Sequence, residues 1–110
     1  MKVTWLQRIA FLALLVGLVG LALPGVAVGQ QAQDTYKAKC QACHGPGGVP
    51  SAGMAKSMGL KPLGSADVQA MSDADLTGAI ANGKGKMKGF KGTITDAQIN
   101  DLVKYVRTLK

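Results

Sequence analysis

Two cysteines and a single histidine are all that 110 residues offer in the way of soft or imidazole metal ligands, and aromatic side chains are sparse. A zinc site needs four protein ligands, or three and a water. Cys40, Cys43 and His44 would therefore have to recruit carboxylates, which makes zinc a poor fit. The few aromatics do not interleave with the basic residues and no nucleic-acid-binding motif is present, so the charge is not that of a nucleic-acid binder. Acidic residues are also scarce, 6 against 13 basic ones, for a net charge of +7. That balance points to an acidic protein partner or surface. No stretch alternates between apolar and polar residues as a half-buried strand does, which leaves an all-α reading.

What is present is concentrated in Cys40-Gln41-Ala42-Cys43-His44, the C-x-x-C-H spacing at which haem is attached covalently. Two thiols at this separation add across the vinyl groups of one porphyrin edge, and the next imidazole lies close enough to ligate the iron. His44 is the candidate proximal ligand. A thioredoxin-like dithiol shares C-x-x-C, but it follows a strand in a βαβ unit, and nothing from Asp34 to Cys43 reads as strand. A chance match, or a structural disulfide beside a histidine, is the remaining alternative.

The N-terminus reads as an export signal. Lys2 and Arg8 form a basic n-region, Ile9 to Leu23 is an uncharged apolar run, and Ala27-Val28-Gly29 offers small residues where a signal peptidase cuts. Residues 1–29 are thus expected to be a cleaved signal peptide, and residues 30–110 one small domain on the periplasmic side of a bacterial membrane. An uncleaved anchor is the alternative, since residues 9–28 are long enough to span a bilayer. No cysteine follows the apolar run, which excludes a lipoprotein anchor. Removing Lys2 and Arg8 from the 13 basic residues leaves 11 against 6 acidic ones, a net +5 for the mature chain. A domain this small needs a staple or cofactor to complete its core, and one haem c per chain would supply it.

Three helices can be placed. Asp34 is a candidate N-cap for the first, whose last turn delivers the C-x-x-C-H before Gly45-Pro46-Gly47-Gly48 stops it. Ser72 with Asp75 opens the second, which runs through Leu76, Ala79 and Ile80 to Gly83. Thr95 with Gln98 opens the third, where Ile99, Leu102, Val103, Val106 and Leu109 recur at helical spacing as one buried stripe. Val49 to Ala70 reads as a loop with a short helical stretch around Ala52 to Met58.

These segments resemble class I c-type cytochromes. The resemblance rests on Tyr36 with Cys40, Cys43 and His44, on Met71 to Leu76, on Asn82 to Met87, and on Tyr105 to Leu109. It implies a cytochrome c fold of about three to four helices wrapped around one covalently bound haem, with histidine and methionine on opposite faces of the iron. This family commonly has proline after the methionine, whereas Lys88 stands here. That predicts a less stiff loop.

Met87 is the candidate distal ligand on independent grounds. It lies far downstream of His44, is bracketed by Gly83, Gly85 and Gly89, and carries a soft thioether suited to both iron redox states. Met54 and Met58 sit too close after His44 and read as an apolar face against the haem, while Met71 reads as a helix staple. Lys84, Lys86, Lys88 and Lys91 flank Met87 and would form either a solvated loop or a basic collar that steers an acidic redox partner. The expected function is an exported, monomeric, single-haem electron carrier with no small-molecule substrate and no enzymatic activity of its own. A haem sensor with a labile sixth ligand and an anchored subunit of a membrane oxidoreductase are the alternatives.

Overall fold

The computed structural model describes Trp5 and residues 24–110. The expected basic n-region and the apolar run from Ile9 to Leu23 lie outside the described residues. In chain order the elements are α1 (Pro24–Lys39), α2 (Gln41–His44), a 3-10 turn (Pro46–Gly48), α3 (Ala52–Met58), α4 (Ala66–Gln69), α5 (Asp73–Asn82), β1 (Gly83–Lys84), β2 (Met87–Lys88) and α6 (Asp96–Thr108). The fold is mostly helical, as a cytochrome c fold requires. It holds more helical pieces than expected because α2 and α4 are single turns.

α6 is the centre of the packing, and both α1 and α5 lie against it. Its start is fixed locally by a reciprocal cap: the Thr95 hydroxyl accepts from the Gln98 amide at 3.1 Å, and the Gln98 side-chain oxygen accepts from the Thr95 amide at 2.9 Å. Ile99, Leu102, Val103 and Val106 are then buried at helical spacing. The stripe divides between two clusters. Ile99 and Leu102 pack with Tyr36, Phe90 and Ile94, whereas Val103 and Val106 pack with Leu76. Each such side chain removed from water contributes roughly 1.5–3 kcal/mol.

α5 begins as its sequence requires, with Ser72 accepting from the Asp75 amide at 3.0 Å. Met71, one residue before the cap, shares the Leu76 cluster, so the pair forms the expected hydrophobic staple. The helix stops at Gly83, whose φ of +83° a side-chain-bearing residue rarely adopts. Any Cβ there would lie 2.5 Å from the Met87 carbonyl oxygen. This close approach lets β1 turn back at once into β2.

Two expectations are corrected. Asp34 is not an N-cap: α1 begins at Pro24 and Asp34 lies inside it, accepting from the Gln30 side chain at 3.1 Å. Proline is tolerated at a first helical position, and the glutamines and alanine before Asp34 favour helix, so nothing there forces a start. The glycine-rich stretch around Met87 is also not a plain loop. β1 and β2 form an antiparallel ladder with Gly83 opposite Lys88 and Lys84 opposite Met87. Gly85 takes φ +58° in the two-residue turn, where a tight hairpin favours glycine.

Long-range polar contacts close the fold. Arg107 on α6 donates to the Gln69 carbonyl at 2.9 Å, to the Met71 carbonyl at 2.6 Å and to the Asp73 carboxylate at 2.7 Å. Gln69 in turn donates to the carbonyls of Leu63 and Val106. The segment between α3 and α5 is thereby stitched to the last helix.

Candidate functional site

α1 carries the chain directly into the C-x-x-C-H turn. The Cys40 amide still bonds back to Tyr36 at 2.9 Å, and the His44 amide bonds to the Cys40 carbonyl at 2.9 Å, so Cys40, Cys43 and His44 share one helical turn. Gly45 ends it at φ +77°, with the Val49 carbonyl so close that a Cβ would sit 1.8 Å from its oxygen. Tyr36, 1 % exposed, reaches over this turn and donates from its hydroxyl to the Gly45 carbonyl at 2.7 Å. Its ring leans on Tyr105 of α6, with centroids 5.1 Å apart. Two tyrosines thus seal the crossing of α1 and α6.

Cys43 is exposed and Cys40 half-buried. Burial, with the neighbouring Cys43 thiol a lesser cause, pushes the Cys40 thiol above its ordinary pKa. Burial holds His44 below the ordinary imidazole value, which keeps the ring neutral with a lone pair available to a metal. Its Nδ1 is buried without a hydrogen-bond partner, so the carbonyl of Pro50, the first proline after the glycine turn and a candidate acceptor for that ring nitrogen, is not paired with it.

Met87 is half-buried on β2, and it packs against the same cluster of Tyr36, Phe90, Ile94, Ile99 and Leu102 that Cys40 touches. Phe90 is buried in that cluster at 6 % exposure. Met71 belongs to the other cluster. Met54 and Met58 stand half-buried on α3, outside both clusters. The structure thus brings Cys40 and Met87 to one apolar surface beside His44 and sets Met71 apart.

The methionine hairpin is tied more firmly than glycine and lysine content suggests. Beyond its ladder, the Phe90 amide donates to the Ile80 carbonyl at 2.9 Å and the Lys91 amide to the Ala81 carbonyl at 3.0 Å. Lys88 places its ammonium 5.5 Å from the centre of the Phe90 ring, a cation–π distance. Lys86 donates to the Ser57 carbonyl on α3 at 2.8 Å. These contacts escape sequence reading because each joins residues with no shared periodicity; the glycine before a lysine at the turn is the one local signal of a hairpin.

Among the described residues, no three His, Cys, Asp or Glu side chains gather closely enough to hold a metal ion between them. Two thiols, an imidazole with an unpaired buried nitrogen and a half-buried thioether on an apolar face suit an iron porphyrin well.

Comparison with known proteins agrees. Residues 27–106 match the family described as cytochrome c oxidase, cbb3-type, subunit III. A cytochrome c6 from Leptolyngbya boryana is 36% identical over 73 residues, which cover 64% of this chain and 80% of that protein. A cytochrome c6 from Synechocystis sp. is 35% identical over 74 residues, covering 64% of this chain and 57% of the relative. The chain belongs to this cytochrome c family: it is a class I c-type cytochrome, a protein of haem-based electron transfer whose cofactor is covalently bound haem c.

Proposed function

We propose that the chain is an exported carrier that shuttles single electrons between redox proteins, with Cys40 and Cys43 attaching the haem, His44 as proximal ligand and Met87 as distal ligand. The observation that carries this reading is the packing of Cys40 and Met87 against one buried cluster, with His44 one turn beyond Cys40. Bound haem supplies the one-electron chemistry, its iron passing between the ferrous and ferric states.

The protein's part is to fix ligands and exclude water. Each cysteine would add its S–H across one vinyl group, which locks the porphyrin to the α2 turn. His44, kept neutral by burial, offers its ring nitrogen without first losing a proton. Met87 offers a soft thioether that binds both iron states and tends to raise the potential. Held by both His44 and Met87, the iron would have no position left for a substrate, which would make the chain a carrier and not an enzyme. The ladder and bonds that hold the Met87 hairpin favour a fixed ligand over the labile one a sensor needs.

Lys84, Lys86, Lys88 and Lys91 are all exposed around this hairpin and support docking of an acidic partner. Residues 1–29 would be removed on export, leaving residues 30–110 as the monomeric periplasmic domain. Gly25 and residues 27–31 are exposed on α1, and among the described residues the core begins at Ala32, downstream of a cut after Gly29. Among the described residues no helix is long and apolar enough to cross a membrane.

Optical spectroscopy of the purified ferric protein tests the ligand set. A thioether bound to ferric haem gives a weak charge-transfer band in the far red. Met87→Ala should abolish it and leave the covalent haem in place, while Met54→Ala and Met58→Ala should keep it. A band that survives Met87→Ala and disappears in either other variant would overturn the assignment.

A further inference from the structure

Lys86 differs from the other lysines around Met87 in what its ammonium touches. It occupies the second position of the hairpin turn, immediately before Met87, and donates across 2.8 Å to the backbone carbonyl of Ser57. Ser57 lies in the last turn of α3, where carbonyls have no amide ahead of them within the helix. The Gly59 amide closes back on Ala55, as does the Leu60 amide, so neither serves Ser57. A lysine supplied from elsewhere in the chain is one way such a carbonyl is satisfied. Among the described residues Lys84, Lys88 and Lys91 make no hydrogen bond to α3; Lys88 lies over Phe90 instead.

The hairpin is otherwise anchored at its base. Phe90 and Lys91 bond to the end of α5, and Gly83 packs against the returning strand. None of these contacts restrains the tip, and the tip carries the residue next to Met87. The Ser57 carbonyl is the tip's fixed point, and it sits on the helix that bears Met54 and Met58.

We propose that Lys86 is a positioning residue for Met87, its ammonium clamping the hairpin tip to the end of α3 so that the thioether stays on the iron. This rests on Met87 being the distal ligand. In a family where proline commonly follows the methionine, Lys86 and the ladder would supply by tethering what this chain lacks in backbone stiffness.

The test is competition by imidazole in the ferric holoprotein. An added ligand binds only the fraction of molecules in which the methionine has left, so its apparent affinity reports that fraction. Lys86→Gln should bind imidazole about threefold to tenfold more tightly than the parent, the size expected from losing one charge-assisted hydrogen bond at an exposed site. Lys86→Arg can still donate to the carbonyl and should restore the parent affinity, and Lys84→Gln, with the same loss of charge on the same hairpin, should leave it unchanged. Parent-like affinity in Lys86→Gln overturns the proposal alone, as does an equal gain in Lys84→Gln or a failure of arginine to rescue. Absence of the far-red band from the parent protein, or its survival in Met87→Ala, removes the ligand assignment and the clamp with it.

Discussion

The hydroxyl of Tyr36 on α1 donates to the carbonyl of Gly45 at 2.7 Å, bracing from above the turn that holds Cys40, Cys43 and His44. Burial pushes the phenol up to about 12, so it remains a donor at any physiological pH. Tyr36→Phe keeps the ring against Tyr105 but strands a buried carbonyl, and should cost about 1–2 kcal/mol in denaturant unfolding. Because the folded phenol holds its proton more tightly than the unfolded one, its contribution is complete below pH 10 and is lost as pH rises toward about 12. The difference between parent and variant should shrink over that interval.

Arg107 should matter to stability more through backbone carbonyls than through its ion pair. The Asp73 carboxylate is 76% exposed, so Asp73→Ala should cost under about 1 kcal/mol. Arg107→Ala also releases the carbonyls of Gln69 and Met71 and should cost about 2 kcal/mol, measured by urea unfolding. Arg107→Lys, which keeps the charge without the planar fork, should fall between them.

Export should leave a chain whose intact mass, with haem, corresponds to loss of the leader near Gly29. A protein beginning at Gln30 should match a longer form within about 0.5 kcal/mol, since Gly25 and residues 27–29, next to the cut, are exposed. An intact mass that retains residues 1–29 would indicate a membrane-anchored carrier.

Electron transfer from an acidic donor should slow as salt rises, because exposed charges more than about 10 Å apart are largely screened at 0.1 M. Lys84→Glu with Lys88→Glu should lower the second-order rate constant about fivefold more than Lys37→Glu with Lys39→Glu. All four side chains are exposed, so the comparison separates a local docking face from net charge. Equal effects would leave a general basic field.

What could be read from sequence was what is decided within one turn of chain. Thr95 with Gln98, Ser72 with Asp75, and the stripe from Ile99 to Val106 all appear where spacing puts them, as does the short helix Ala52–Met58, whereas Leu109, expected to continue the stripe, falls just past the end of α6 and is half-buried. Asp34 misled because a capping side chain starts a helix only where the preceding residues leave it, and Gln30 to Gln33 do not. The Met87 hairpin was hidden since two-residue strands are too short to show alternation. Arg107 and Lys86 make their bonds to residues far away in sequence, and no local pattern marks the carbonyls they find.

The divided stripe of α6 bears on the order in which the chain assembles. Joining Leu76 to Val103 closes a short loop, whereas joining Tyr36 to Ile99 closes most of the domain, and the entropy lost grows with the length closed. Pairing of α5 with α6 is therefore the less costly first step. On loop length alone, the turn bearing Cys40, Cys43 and His44 would ride on the helix whose docking closes the longer loop, which would leave its thiols open to the proposed attachment while α5 and α6 are already paired.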